Sequence, residues 1–129
     1  GIFTTDYSWQ MDSAMEKFIE SGEKEPAIIV GIHNSQKRNS EYVPWDWYDT
    51  IDGVNREGLG KEYIEFIINE VKPYIDSNYR SLTGSETTCI GGSSLGGLIS
   101  IYAGLNYPDV FGKLMAMSPS IWVKDREIL

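Results

Sequence analysis

With 129 residues, 41% of them hydrophobic and 23% charged, the chain is long enough for one ordinary domain with an apolar core, and wholesale disorder is excluded. A formal net charge of −8 argues against a nucleic-acid or anionic-membrane partner, which would call for a basic face. No apolar run approaches the roughly 18 residues needed to cross a bilayer, and a single cysteine, Cys89, leaves neither an intrachain disulfide nor a cysteine-based metal cluster.

The opening residues, GIFTTDYSWQ, lack the basic and apolar regions of a signal peptide. A cytoplasmic location is therefore expected, although a secreted protein with its signal removed would read the same. Residues 9–20 place Met11, Met15, Phe18 and Ile19 on one helical face. AIIVGI, 27–32, is a short apolar run rich in β-branched residues and predicts a strand buried on both faces. Residues 33–60 are polar and aromatic with scattered Gly and Pro, and read as a long loop with a functional role. Ile64, Ile67, Ile68, Val71 and Ile75 predict a helix from Lys61 to about Tyr74, its last turn distorted by Pro73. ETTCIGG, 86–92, predicts a second buried strand with Cys89 as a plain core residue, and 95–107 a helix. KLMAMSP, 113–119, predicts a third strand. Right-handed crossovers would make these strands parallel, in an α/β sandwich.

Between the second strand and its helix lies Gly92-Ser93-Ser94-Leu95-Gly96, a G-x-S-x-G pattern. Glycine and serine are common, so the five residues alone are a weak signal; a strand before and a helix after them are what a nucleophile elbow demands. So sharp a turn forces its serine into strained φ/ψ and lifts the Oγ clear of the sheet. The helix start then offers N–H groups and a positive dipole end to a developing oxyanion, the Leu95 N–H among them. The competing reading is a glycine-rich phosphate turn, but neither G-x-G-x-x-G nor Gly-Lys-Ser/Thr is present. Ser94, rather than Ser93, is the expected nucleophile.

GGSSLGGLISIYAGLNYPDVFGKLMAMSPSIW, AIIVGIHNSQKRNSEYVPW and YIEFIINEVKPYIDSNYR together resemble the putative-esterase family of α/β-hydrolases. That family groups feruloyl and acetyl-xylan esterases, S-formylglutathione hydrolase-like enzymes, siderophore esterases and mycolyltransferases. The resemblance runs over about residues 9–122, with three motifs in order. It implies Ser94 as nucleophile and the Leu95 N–H as oxyanion donor, with the strand ends near His33 and Ser118 bordering the cleft. Arg38 stands where the family often carries arginine, and Tyr79-Arg80 matches a structural Tyr-Arg pair.

A serine hydroxyl needs a base, and α/β-hydrolases order their triad Ser, acid, His. Residues 95–129 contain no histidine, and Asp109, Asp125 and Glu127 do not match the family's acid position. His33, the lone histidine, is expected to be a loop or cleft residue rather than the base. The family also opens with further strands and a His-Asp-Gly type loop that are absent here. The expected organisation is therefore a single incomplete domain over 1–129, the middle of a longer esterase without its N-terminal strands and C-terminal acid/His segment. A shortened chain that closes its own sheet is the competing account. The expected fold is a partial α/β-hydrolase, a three-layer sandwich of about three parallel strands with flanking helices. Assembly of identical copies would be one way to cover its open edges.

Tyr42 and Trp45, from the aromatic stretch EYVPWDWYD, and Trp122 after the third strand are candidates for an aromatic wall over Ser94. With His33 and Arg38 they make up the expected substrate-binding set. The function this supports is a serine carboxylic-ester hydrolase forming an acyl-enzyme on Ser94, with a small-molecule or carbohydrate-linked ester as substrate and no metal or other cofactor. The alternative is a catalytically inert, esterase-like binding or scaffold module.

Overall fold

The computed structural model describes residues 10–22, 25–126 and 128 of the chain. They fall into two units, residues 1–33 and 34–129.

In the first unit, α1 (Met11–Glu20) forms where the apolar spacing places it; Trp9, at the expected helix start, lies outside the described residues. Ser21 closes the helix, its hydroxyl donating to the Phe18 carbonyl, and Gly22 follows at φ 73°. The apolar stripe stays open, with Phe18 and Ile19 exposed. Residues 27–32 correct the expectation of a buried strand: they pair with no strand, and Ile28 and Val30 are exposed. A doubly covered strand is a property of the neighbours on its two edges as much as of its own composition. Apolar β-branched residues alone cannot supply those edges.

The second unit opens with the region expected to be one long loop, and this too is corrected. It holds a helical turn, α2 (Arg38–Glu41), and an antiparallel hairpin, β1 (Trp47–Asp49) with β2 (Val54–Arg56). The organising residue is Asp49, 3% exposed. It accepts from Arg56 Nε at 2.9 Å, from the Ile51 N–H at 3.1 Å and from Asn39 Nδ2 at 3.4 Å. Arg56 also pairs with Asp52, and Gly53, at φ 74°, turns the hairpin. Periodicity could not reveal this hairpin, because its strands are three residues each and are held by a part-buried ion pair.

Next come α3 (Gly60–Phe66), a π-helical turn (Ile67–Val71) and α4 (Lys72–Asn78). The helix thus runs past Pro73, beyond the expected end near Tyr74. The π turn ends at Val71, two residues before the proline, whose missing N–H interrupts the regular ladder. Lys72 secures the last segment through Asp76 at 2.6 Å, and Asp76 also accepts from Ser81 Oγ at 2.8 Å.

The catalytic candidates lie on the remaining elements, β3 (Cys89–Ser93), α5 (Leu95–Asn106) and β4 (Lys113–Met117). β3 and β4 pair in parallel, from Cys89 opposite Lys113 to Ser93 opposite Met117, and α5 packs across both. Only two of the three expected parallel strands are present among the described residues. β3 also starts later than expected, because Ser85–Thr87 form a 3-10 turn whose Gly84 carbonyl accepts from the Thr87 and Thr88 hydroxyls. Cys89 is exposed rather than in the core, and Leu114, Met115 and Met117 are exposed as well. The buried cluster is Val43, Trp47, Leu95, Leu98 and Val123, so the 38–60 region and the start of α5 share one core.

Burial pushes the Asp49 carboxyl upward, but the hydrogen bonds from Arg56, Ile51 and Asn39 and the Arg56 charge together hold it below its ordinary value. A lowered carboxyl contributes stability above about pH 4 that is lost as pH falls through the lowered value. Asp49→Asn is therefore expected to cost about 1.5–3 kcal/mol at neutral pH and to flatten the acid side of the Tm-against-pH curve. Thermal unfolding followed by tryptophan fluorescence checks this, and an unaltered acid side would contradict it.

Candidate active site

The turn between β3 and α5 is built from small residues because two stretches of backbone nearly touch. A Cβ on Gly92 would lie 2.5 Å from the carbonyl carbon of Gly96, and one on Gly97 would lie 3.1 Å from Cα of Pro119. Gly96 itself is less restricted, the nearest atom to its hypothetical Cβ being Tyr42 Cε2 at 3.9 Å. The constraint therefore falls on Gly92, whose side-chain position is filled by Gly96 backbone.

Ser94 occupies the apex and is the residue preceding α5, with φ 58° and ψ −124°. Positive φ costs a non-glycine residue on the order of 1–3 kcal/mol and persists only where the surroundings impose it. Here both polar groups of its backbone are held. Its N–H donates to the Met117 carbonyl at 3.1 Å, and its carbonyl accepts from the N–H groups of Leu98 and Ser120, each at 3.1 Å. A second strained residue, Ser118 at φ 41°, ends β4 and turns the chain so that Ser120 faces back to Ser94. The Ser94 and Ser120 hydroxyls stand 3.1 Å apart; Ser94 is exposed, while Ser120 is 4% exposed.

Leu95 is the first residue of α5, where an N–H has no carbonyl four residues back within the helix. Its side chain is buried in the core cluster, which fixes the helix start beneath the Ser94 apex. An exposed serine beside a fixed helix N-terminus is an arrangement in which a hydroxyl can meet an electrophile while backbone N–H groups stabilise the negative charge on that electrophile's oxygen.

The other candidates separate. The Tyr42 ring lies beside the turn, 5.1 Å from the Tyr63 ring, with the Arg38 guanidinium 5.3 Å above it. Trp45 packs against the core cluster, its Nε1 buried without a hydrogen-bond partner. Trp122 is half exposed and meets the edge of Trp47 at 6.3 Å between ring centroids. The tryptophans of the 41–49 stretch thus act in packing: Trp47 is buried and donates from Nε1 to the Asn39 carbonyl at 3.3 Å. His33 is exposed and belongs to the first unit. Glu127 and the Asp125 side chain lie outside the described residues.

Two features escaped sequence reasoning. Ser120 is one; its signal was the Ser-Pro-Ser-Ile-Trp run directly after the third strand, read only as a strand end. The other is Tyr63, whose phenol is pushed upward by burial and by the adjoining Tyr42 hydroxyl, so it stays protonated at any physiological pH. Tyr63, with Glu41, Leu59, Glu62 and Phe66, lines a cavity of about 240 Å³ that Ser94 does not line. Among the described residues, no three or more His, Cys, Asp or Glu side chains gather as a metal site. Nor, among them, is any helix long and apolar enough to cross a membrane.

A parallel α/β core with a strained serine between strand and helix defines an α/β-hydrolase-like architecture. The structure is similar to siderophore hydrolase EstA from Aspergillus nidulans, with a TM-score of 0.62 and 29% identity over 78% of this chain and 35% of that one. It is similar in fold to the BES protein from Bacillus cereus, with a TM-score of 0.68 and 22% identity over 88% of this chain and 44% of that one. The model of the family described as "Putative esterase" matches residues 1–127, and the chain belongs to that family. It is 34% identical over 99 residues to the uncharacterized protein YbbA of Bacillus subtilis, covering 76% of this chain and 39% of that protein. It is 31% identical over 88 residues to the siderophore enterobactin esterase of Emericella nidulans, covering 68% and 29% respectively. The chain thus spans 29–39% of the length of these two curated relatives.

The close approach at the turn makes a sharp contrast testable. Gly92→Ala is expected to lose about 3 kcal/mol, since backbone rather than a flexible side chain must give way. Gly96→Ala is expected to be neutral or up to about 1 kcal/mol more stable through helix propensity. Denaturant unfolding of the two variants measures the difference, and equal losses would contradict the geometry.

Proposed function

We propose that the chain is the central part of a serine carboxylic-ester hydrolase that works through an acyl-enzyme on Ser94. The observation that carries this reading is the backbone of Ser94, strained at φ 58° and ψ −124° between a strand and a helix and held there from both sides. Membership of an esterase family supports it independently. Ser94 Oγ attacks the ester carbonyl as its proton passes to a base. The carbonyl oxygen becomes an oxyanion that accepts from the Leu95 N–H, and collapse expels the alcohol and leaves Ser94 acylated. Water then releases the acid and restores the hydroxyl.

The base is proposed to come from residues outside these 129, along with its acid. The named relatives are far longer than this chain. The substrate is proposed to be a small-molecule ester, of siderophore type by analogy with the relatives named for that activity. Tyr42 and the half-exposed Trp122 would provide apolar surface beside the acyl group, and Arg38, stacked on Tyr42, a cation for an anionic substituent. An inert esterase-like module is the second reading. It is favoured by the Ser94 hydroxyl meeting another hydroxyl instead of a base.

Turnover of p-nitrophenyl acetate by the natural full-length protein, and labelling by a fluorophosphonate, separate the two. Ser94→Ala is expected to abolish labelling and to lower kcat by about 10⁴-fold or more. Equal turnover in the wild type and this variant would remove Ser94 from the chemistry. A wild type that is neither labelled nor active would establish the inert module.

A further inference from the structure

We propose that Ser120 is a positioning residue for the nucleophile: its hydroxyl donates a hydrogen bond to Ser94 Oγ and so leaves the Ser94 proton directed away, free to be taken. The inference rests on Ser94 being the nucleophile and concerns how that hydroxyl is held. The two oxygens are 3.1 Å apart, and distance alone allows either to donate. Burial decides the direction. Ser120 is 4% exposed, and among the described residues its hydroxyl has one partner, the Oγ of Ser94. Were Ser94 the donor, the hydrogen of Ser120 would be left buried and unpaired, with the full desolvation penalty of an unmet donor. Were Ser120 the donor, the hydrogen of Ser94 would point into open surroundings, because Ser94 is exposed. The second arrangement satisfies both hydroxyls and the first satisfies one.

The backbone makes the arrangement durable. Ser120 also donates its own N–H to the Ser94 carbonyl at 3.1 Å, so Ser120 grips Ser94 at two points. Its carbonyl in turn accepts from the Val123 N–H at 3.3 Å, and Val123 is in the buried core. Pro119 packs against Gly97 at the start of α5, and the positive φ of Ser118 aims the turn inward. The chain thus spends a strained residue and a proline to bring one hydroxyl to the nucleophile. A donor aimed at Ser94 Oγ holds it in a single rotamer, so that the attacking oxygen is already placed when substrate binds.

The test compares kcat and KM for p-nitrophenyl acetate in the natural full-length protein and its Ser120→Ala, Ser120→Thr and Ser120→Val variants, each with its Tm. Ser120→Ala is expected to lower kcat about tenfold, equivalent to about 1.4 kcal/mol, with KM within about twofold of wild type. Fluorophosphonate labelling of Ser94 should slow in parallel. Threonine and valine have nearly the same shape and differ in the hydroxyl. Ser120→Thr should therefore stay within about threefold of wild type, while Ser120→Val should match the alanine variant. A wild-type rate in Ser120→Ala, or equal losses in the threonine and valine variants, would overturn the proposal. Those outcomes leave the nucleophile intact, whereas an unlabelled wild type, or a Ser94→Ala variant that keeps its turnover, would remove the reading on which the proposal rests.

Discussion

The structure around the candidate site depends on the backbone of one residue, Ser94, being held on both sides by its neighbours. Its N–H is taken by Met117 and its carbonyl by Ser120 and Leu98, so strand β4 and helix α5 both set the serine's backbone. A residue at φ 58° would otherwise relax, since the cost of that conformation is comparable to one or two net hydrogen bonds. The parallel register that puts Ser93 opposite Met117 brings the right carbonyl to the right place. Nearly every other local feature follows from keeping that contact closed. Gly92 leaves room for the Gly96 backbone, Pro119 seats against Gly97, and Ser118 turns the chain back.

A second layer of order comes from the 34–60 region, which lies far from Ser94 in sequence. Its hairpin is pinned by the part-buried Asp49 and Arg56 pair, and its apolar residues Val43 and Trp47 join Leu95 and Leu98 in one cluster. Anchoring Leu95 in that cluster fixes the first turn of α5, whose N–H groups face the serine. Trp47 lies within that cluster, and Tyr42 and Trp45 pack against it. Tyr42 is the one that also lies beside the turn itself. A part-buried ion pair of this kind is weak evidence for net stability, but removing one partner leaves the other uncompensated, which gives the hairpin a single arrangement.

How much was legible in the sequence depended on how local the cause was. Helices α1 and α5 and the strand–serine–helix turn came from periodicity and from glycine placement, both of which act over a few residues. The helix continues past its expected end near Tyr74, because Pro73 falls in the first turn of α4, where a missing N–H is tolerated. Cys89 is a core residue by its setting in an apolar run but lies exposed, as Leu114 does on the paired strand, since two paired strands with one helix across them leave much of their surface open. The 27–32 run carried the strongest strand pattern in the chain and forms no ladder, because a ladder needs a partner strand.

The sequence by itself determined the family and the identity of the candidate nucleophile. G-x-S-x-G between a strand and a helix is a short-range pattern in which steric demands select the residues. Only the tertiary structure decided what holds that serine. Ser120, 26 residues further along, becomes its neighbour because parallel pairing of β3 with β4 and the turn at Ser118 bring the two hydroxyls to 3.1 Å. The direction proposed for that hydrogen bond is also a tertiary property, since it rests on Ser120 being buried and Ser94 being exposed. A local pattern can require a serine, but only packing can decide which way its proton points.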